Sequence, residues 1–270
     1  MADMDNKVLV NVAPVSAEDK VIIPEKIAED VYKCYKAGAA MVHLHVRDRE
    51  GRLTPDLSLL EETLAMIRRD SDIIIEVSTG GVSDLNIRER CAPLYSELVG
   101  ACSLNVGSTN LGKAVYCNPI DDVEYCIREI LKQKKTPEVE TFEIGHTWTM
   151  ARLMEKYDFA DPVLFSVVLG HEGEAPATPQ ALAAMIQMIP SNAVWGITQA
   201  HRKDFSLLAG ALGMGARTVR IGFEDSNYLD TQTQVTSNAP LVEKTVKLLR
   251  AMDKEPMLPD EARELFRIGR

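Results

Sequence analysis

No stretch of this 270-residue chain approaches the roughly 20 consecutive apolar residues that span a bilayer, so no membrane helix is expected. The opening residues Met1-Ala2-Asp3-Met4-Asp5-Asn6-Lys7 lack the basic and apolar parts of a signal peptide. Positive charge is in deficit: a formal net charge of −10 argues against nucleic acid or anionic membrane as a partner, because both reward a basic surface. It does not forbid an anionic substrate, since one arginine or metal ion can dominate a pocket. The five cysteines are odd in number and form no C-x-x-C, so reduced thiols are expected rather than a disulfide framework. There is also no linker, no low-complexity tract and no change of composition along the chain. These absences point to a cytoplasmic enzyme built as one domain over residues 1–270.

What is present is apolar sequence, 46% of residues, arranged in a repeating order. Short β-rich runs at 8–13, 41–46, 73–78, 102–106, 139–144, 163–169, 194–198 and 218–223 alternate with helical patterns. The runs are apolar nearly throughout, as suits parallel strands covered on both faces. Helices are expected at 25–37, 57–69, 120–132 and 180–189, opened by Pro24, Pro55-Asp56, Pro119 and Thr178-Pro179. The repeats share no sequence signature, which disfavours a solenoid. Eight strand–helix units predict an α/β fold, a closed (β/α)8 TIM barrel, whose chemistry sits at the C-terminal ends of the strands.

Polar residues collect at those ends. The sharpest signal is His43 and His45 on the second strand. Side chains alternate along a strand, so both imidazoles point to one side and can reach one metal ion, zinc being the best fit among divalent metals. The plain alternative is a pair of hydrogen-bonded core histidines. A catalytic zinc usually takes three protein ligands, and Glu224 is the first candidate for the third, with His146 and His171 behind it. Arg220, Glu224 and Asp225 close the eighth strand, either as ligand and oriented base or as a solvated charged loop. Ser78-Thr79-Gly80-Gly81 offers hydroxyls and close backbone approach to a substrate carboxylate. Glu140 lies inside the fifth strand and is the better pocket candidate than Glu143. The strand-4 residues Ser103 and Asn105 are candidate hydrogen-bond donors.

Ala39-Ala40-Met41-Val42-His43-Leu44-His45-Val46-Arg47-Asp48, then Ser78-Thr79-Gly80-Gly81, then Val219-Arg220-Ile221-Gly222-Phe223-Glu224-Asp225, resemble the β-keto acid cleavage enzymes in order and spacing over nearly the whole chain. The founding activity of that family is 3-keto-5-aminohexanoate cleavage in lysine fermentation. The resemblance implies a zinc-dependent barrel that converts a β-keto acid and acetyl-CoA into acetoacetate and a new acyl-CoA. It implies His43, His45 and Glu224 as metal ligands, and Asp225, Arg220 and Glu140 as catalytic residues. Glu18, Ser78, Gly80, Gly81, Ser103 and Asn105 would bind substrate. A carboxylate inside an apolar barrel mouth is costly unless paired, so Glu18 favours an amino-bearing substrate, the plain alternative being a hydrogen bond to the strand-1 loop. It further implies a homo-oligomer, a tetramer for preference, with Arg202 and Lys203 as candidates for the CoA phosphates. The chain departs from the family pattern at Val15-Ser16-Ala17-Glu18, Gly170-His171-Glu172-Gly173-Glu174, Gln199-Ala200-His201-Arg202 and Gly215-Ala216-Arg217-Thr218, which leaves the acyl side chain open. Two other readings remain: a metal-dependent aldolase or lyase that needs no CoA, and a barrel that binds a metabolite without turnover. A barrel metallohydrolase is disfavoured, since its H-x-H belongs on the first strand and a bridging lysine on a middle one.

Overall fold

A computed structural model describes residues 4–269; Met1–Asp3 of the polar N-terminal stretch, and Arg270, lie outside the described residues. Eight parallel strands form the barrel: β1 (Lys7–Val12), β2 (Met41–Leu44), β3 (Ile74–Val77), β4 (Ala101–Asn105), β5 (Thr136–Thr141), β6 (Leu164–Leu169), β7 (Val194–Gln199) and β8 (Thr218–Ile221). Each pairs with the next, and β8 pairs with β1 from Leu9↔Thr218 to Val12↔Ile221, so the sheet closes on itself. Around it run α1 (Pro24–Ala37), α2 (Ser58–Asp70), α3 (Ile87–Arg90), α4 (Ile120–Lys132), α5 (Ile144–Lys156), α6 (Pro179–Ile186), α7 (Ser206–Gly213) and α8 (Ala239–Ala251), then α9 (Pro259–Phe266). Among the described residues, no helix is long and apolar enough to cross a membrane.

The eight expected strands are all present, the second and eighth each ending two residues early, at Leu44 and Ile221, and the helix expected at 180–189 stops at Ile186; two larger corrections lie around them. The fifth ends at Thr141 rather than 144, because Glu143 caps α5 and Ile144 begins it. The third barrel helix shrinks to the single turn of α3 and a 3-10 turn at Ala92–Tyr95. Asn86 and Glu89 form a reciprocal cap at its start, and Pro93 cannot donate to a continuing helical ladder.

The strands are less uniformly apolar than their sequence suggests, and the alternation is what builds the site. Outward residues such as Val8, Val10, Val42, Ile75, Val77 and Leu104 pack with the helices in one large core. The inner column is layered. At the N-terminal end, Leu9, Met41, Ile74, Ala101 and Leu164 pack against Met257 and Phe266, so the segment around α9 plugs the barrel floor. One step up, the same inward faces carry Asn11, His43, Glu76, Ser103, Glu138 and Ser166, all buried and polar. Such groups are tolerable inside only if they satisfy one another.

Candidate active site

His43 and His45 project from the same face of β2 and its continuation, their rings 5.3 Å apart. After β8 the chain turns at Gly222 and returns across β1, where the Glu224 N–H donates to the Ala13 carbonyl at 3.1 Å. This places Glu224 Oε1 at 3.3 Å from His45 Nε2 and 3.8 Å from His43 Nε2. One donor atom from each of the three lies within 4.8 Å of the others. Ligands 2.0–2.2 Å from a tetrahedral ion sit about 3.4 Å from one another, so this donor set fits a divalent ion. His43 Nδ1 is committed to Glu76 Oε2 at 2.9 Å, leaving Nε2 for the site. Burial would lift the Glu224 carboxyl, but His45, His43 and Arg220 hold it well below the usual carboxylate range.

The other two candidate ligands are elsewhere. His146 sits in the first turn of α5, where its Nδ1 accepts from the Phe142 N–H at 3.3 Å and its Nε2 faces the Ser108 carbonyl at 3.2 Å. Both nitrogens are occupied. His171 opens the loop after β6 and is not part of the donor group.

Arg220, buried on β8, grips three carboxylates. Its Nε and Nη2 donate to Asp225 at 3.1 and 2.8 Å, and its Nη1 donates to Glu140 at 2.7 Å. Nη2 also reaches Glu224 at 3.4 Å. The solvated-loop alternative does not fit, because Arg220 and Asp225 are each only 6% exposed. Burial would weaken the guanidinium's hold on its proton; Asp225, Glu224 and Glu140 more than reverse this, so Arg220 stays charged. Counted as ionised, the cluster carries two uncompensated negative charges, a second reason that a divalent cation suits the place.

Beneath His43 lies a network absent from the sequence reading. Asn11 Nδ2 donates to Glu76 at 2.7 Å and to Glu138 at 3.4 Å. Burial pushes the Glu76 carboxyl up to about 7, and burial together with Glu76 pushes Glu138 well above its ordinary range. Two adjacent carboxyls in a dry site cannot both ionise, so they retain a proton while Glu76 orients His43. The available signal was an acid inside an apolar run, Ile73-Ile74-Ile75-Glu76-Val77.

A cavity of about 760 Å³ opens above these groups and is lined by His43, His45, Glu224, Arg220, Asp225 and Glu140, as well as Ser78 and Gly81. Gly80, Ser103 and Asn105 pack behind that lining. Ser103 Oγ is 3.4 Å from Ser78 Oγ and accepts from the Thr79 N–H at 3.2 Å. The Tyr116 hydroxyl would lie 1.6 Å from a side-chain carbon at Gly80, so only glycine fits there. Both polar atoms of the Asn105 amide are buried without a partner. Two expected residues are placed differently. Glu18 is exposed on the turn after β1 and does not line the cavity, so its carboxylate is not the desolvated charge that would demand a cationic partner. Arg202 is 1% exposed, not a solvated cation at the mouth: its guanidinium lies 4.1 Å from the Phe205 ring centre, and burial lowers its pKa to about 10. Phe205, three residues downstream and just before α7, gives the arginine an apolar shelf that loop position alone does not reveal.

Comparison with known proteins adds an independent line. The family profile described as beta-keto acid cleavage enzyme matches residues 11–268. The chain is 32% identical over 261 residues to the 3-keto-5-aminohexanoate cleavage enzyme of Fusobacterium nucleatum, covering 94% of each. It is 30% identical to the 3-dehydrocarnitine:acetyl-CoA trimethylamine transferase of Rhizobium meliloti, covering 98% of each. The apo structure of ObcA superposes with a TM-score of 0.76 at 19% identity, over 92% of this chain and 65% of that longer one, a likeness of fold.

Proposed function

The chain belongs to the beta-keto acid cleavage enzyme family, and on that premise we propose that it converts a β-keto acid and acetyl-CoA into acetoacetate and a new acyl-CoA. The bond between C2 and C3 of the β-keto acid breaks. The CH2–COO⁻ unit gains the acetyl group, and the remaining acyl group takes over the CoA sulfur. The observation that carries this reading is the shared cavity: His43, His45 and Glu224 converge beside an Asp225 that Arg220 holds at two points.

In this reading His43, His45 and Glu224 hold a divalent ion, zinc by preference. When bound, such an ion supplies a Lewis acid for a ketone beside the breaking bond. Asp225 takes the proton from C2 and returns it to the same carbon when the C2–C3 bond breaks, and Arg220 with Glu140 behind it fixes the carboxylate's direction. Ser78 and the Gly81 backbone meet the substrate carboxylate. Gly80, Ser103 and Asn105 support them, with the unpartnered Asn105 amide available to a substrate oxygen. The cytoplasmic setting, the single domain and the homo-oligomer, tetrameric for preference, expected from the sequence belong to the same proposal.

The test is purified protein with acetyl-CoA and a panel of β-keto acids, read by mass spectrometry of new acyl-CoA species and by metal analysis of the same sample. Acetoacetate with a matching acyl-CoA is the expected product pair. Cleavage that proceeds without CoA would replace this reading by a metal-dependent aldolase or lyase.

A further inference from the structure

Three of the five histidines are accounted for: His43 and His45 on β2, and His146 locked inside α5. The other two sit on loops across the barrel, His171 after β6 and His201 after β7, and both line the same cavity as Arg220 and Asp225. Their ring centres are 5.6 Å apart with planes at 79°. Resting on the proposed reaction, we propose that this pair reads the tail of the β-keto acid and selects one whose far end carries a hydrogen-bonding oxygen.

The pair is assembled by the backbone. Gly170 has φ +105°, and a side-chain carbon there would come within 2.9 Å of the Ala200 carbonyl, so the two loops meet at the point where their next residues are the two histidines. The His171 N–H donates to Glu174 at 2.9 Å, and the His201 N–H donates to the Asp225 carbonyl at 2.8 Å. His201 itself has φ +54°, a conformation that costs a residue with a Cβ and that glycine adopts freely. Lys134, Asp253 and Arg267 share that conformation, but His201 alone of the four lines the cavity, and backbone strain clusters at such sites.

The rings themselves are uncommitted. Among the described residues, no protein group hydrogen-bonds a ring nitrogen of His171 or His201, while His43, His45 and His146 all have such partners. Two imidazoles facing one cavity offer donors and acceptors together, which suits a hydroxyl, a carbonyl or a carboxylate. Burial favours the neutral form of His171. The wall beside them is apolar: Phe142 lies 6.4 Å from His171, with Tyr116 and Val168 packed against it. The deep carboxylates Glu140, Glu224 and Asp225 are engaged by Arg220 and the β2 histidines, and Glu174, whose Oε1 accepts from the His171 N–H, does not line the cavity, so no free acid faces an ammonium group deep in the lining. The acids remaining on the lining near the mouth, Asp84 and Glu172, are exposed. An oxygen-bearing tail therefore fits better than an amino-bearing one.

The test compares four β-keto acids of matched length ending in hydroxyl, carboxylate, methyl or ammonium, on wild type, His201→Gly and His171→Phe. His201→Gly removes the imidazole and the backbone strain together, so the variant should fold with an unchanged or higher Tm. The expected result is a wild-type preference for one or both oxygen tails. His201→Gly should lower kcat/KM for the preferred tail tenfold or more while the methyl tail changes less than about twofold. Which oxygen tail falls separates a hydroxyl from a carboxylate. Calorimetric binding of the same acids without acetyl-CoA gives the comparison free of turnover. An oxygen-tail preference in binding that His201→Gly erases supports the pair even if no acyl-CoA forms, and then only the parent reaction fails. Equal losses on all tails, or a wild-type preference for ammonium, would overturn the proposal.

Discussion

The two histidine pairs are separated by nearly the same distance, 5.3 Å between the β2 rings and 5.6 Å between the loop rings, yet they are held in opposite ways. His43 and His45 alternate along one strand, and His43 is backed by Glu76, which is itself held by Asn11. His171 and His201 come from separate loops, with a left-handed backbone at His201 and ring nitrogens that no described protein group binds. A rigid barrel can hold reacting groups in fixed geometry while loops at its rim vary to suit different substrates. In the proposed reaction the chemistry rests on β2, β8 and the few residues that directly follow them, and the choice of substrate on the longer loops after β6 and β7.

That contrast can be broken at either end. The largest effect is expected for Asp225→Asn, which should keep the metal and lose roughly 10²–10⁴-fold in turnover, as removal of a general base does. Metal content and rate measured on one preparation decide it; a near-normal rate at full occupancy removes Asp225 from the chemistry. Glu76→Gln should weaken metal binding by about 10–100-fold, because the partner that orients a ligating imidazole is lost or made ambiguous. Competition with a chelating dye checks this, and an unchanged affinity would reduce the floor network to packing.

A smaller effect is expected in pH-dependent stability. Glu138 holds its proton more tightly folded than unfolded, since burial and Glu76 raise it. Unfolding therefore releases a proton once the pH exceeds the ordinary carboxyl value, and stability falls as pH rises. Glu138→Gln removes that contribution, so the variant should lose less stability than wild type between about pH 5 and about pH 7 in denaturant titrations. The smallest effect belongs to Glu18→Gln. An exposed carboxylate outside the cavity predicts changes within about twofold on amino-bearing and neutral substrates alike. A selective loss of the amino substrate would return the tail contact to the β1 loop.

The same contrast explains what the sequence could reveal. Strand and H-x-H periodicities are local, so the barrel, the shared face of His43 and His45, and the strand-end carboxylates could all be read directly. The floor network was hidden because Asn11 meets Glu76 and Glu138 across 65 and 127 residues, and an acid in an apolar run gives no sign of its partner. The fifth strand ran too long because Phe142 and Ile144, residue types that strands favour, carry the pattern past Thr141 to the helix whose N-cap position is Glu143. Arg202 and Glu18 were misjudged for one reason: loop position says little about burial, which here depends on Phe205 in one case and an open turn in the other. The meeting of His171 and His201 depends on the contact between Gly170 and Ala200, which no spacing along the chain encodes.

The seam between β1 and β8 has a consequence for how the molecule comes into being. His45 and Glu224 are 179 residues apart in sequence and flank β1 from either side. Contacts of such long range are entropically costly and form only when the ring closes. A nascent chain that has not yet made β8 carries both β2 imidazoles but neither Arg220 nor Glu224. It holds two of the three donors and no braced base, and so stays chemically silent until its last barrel strand docks.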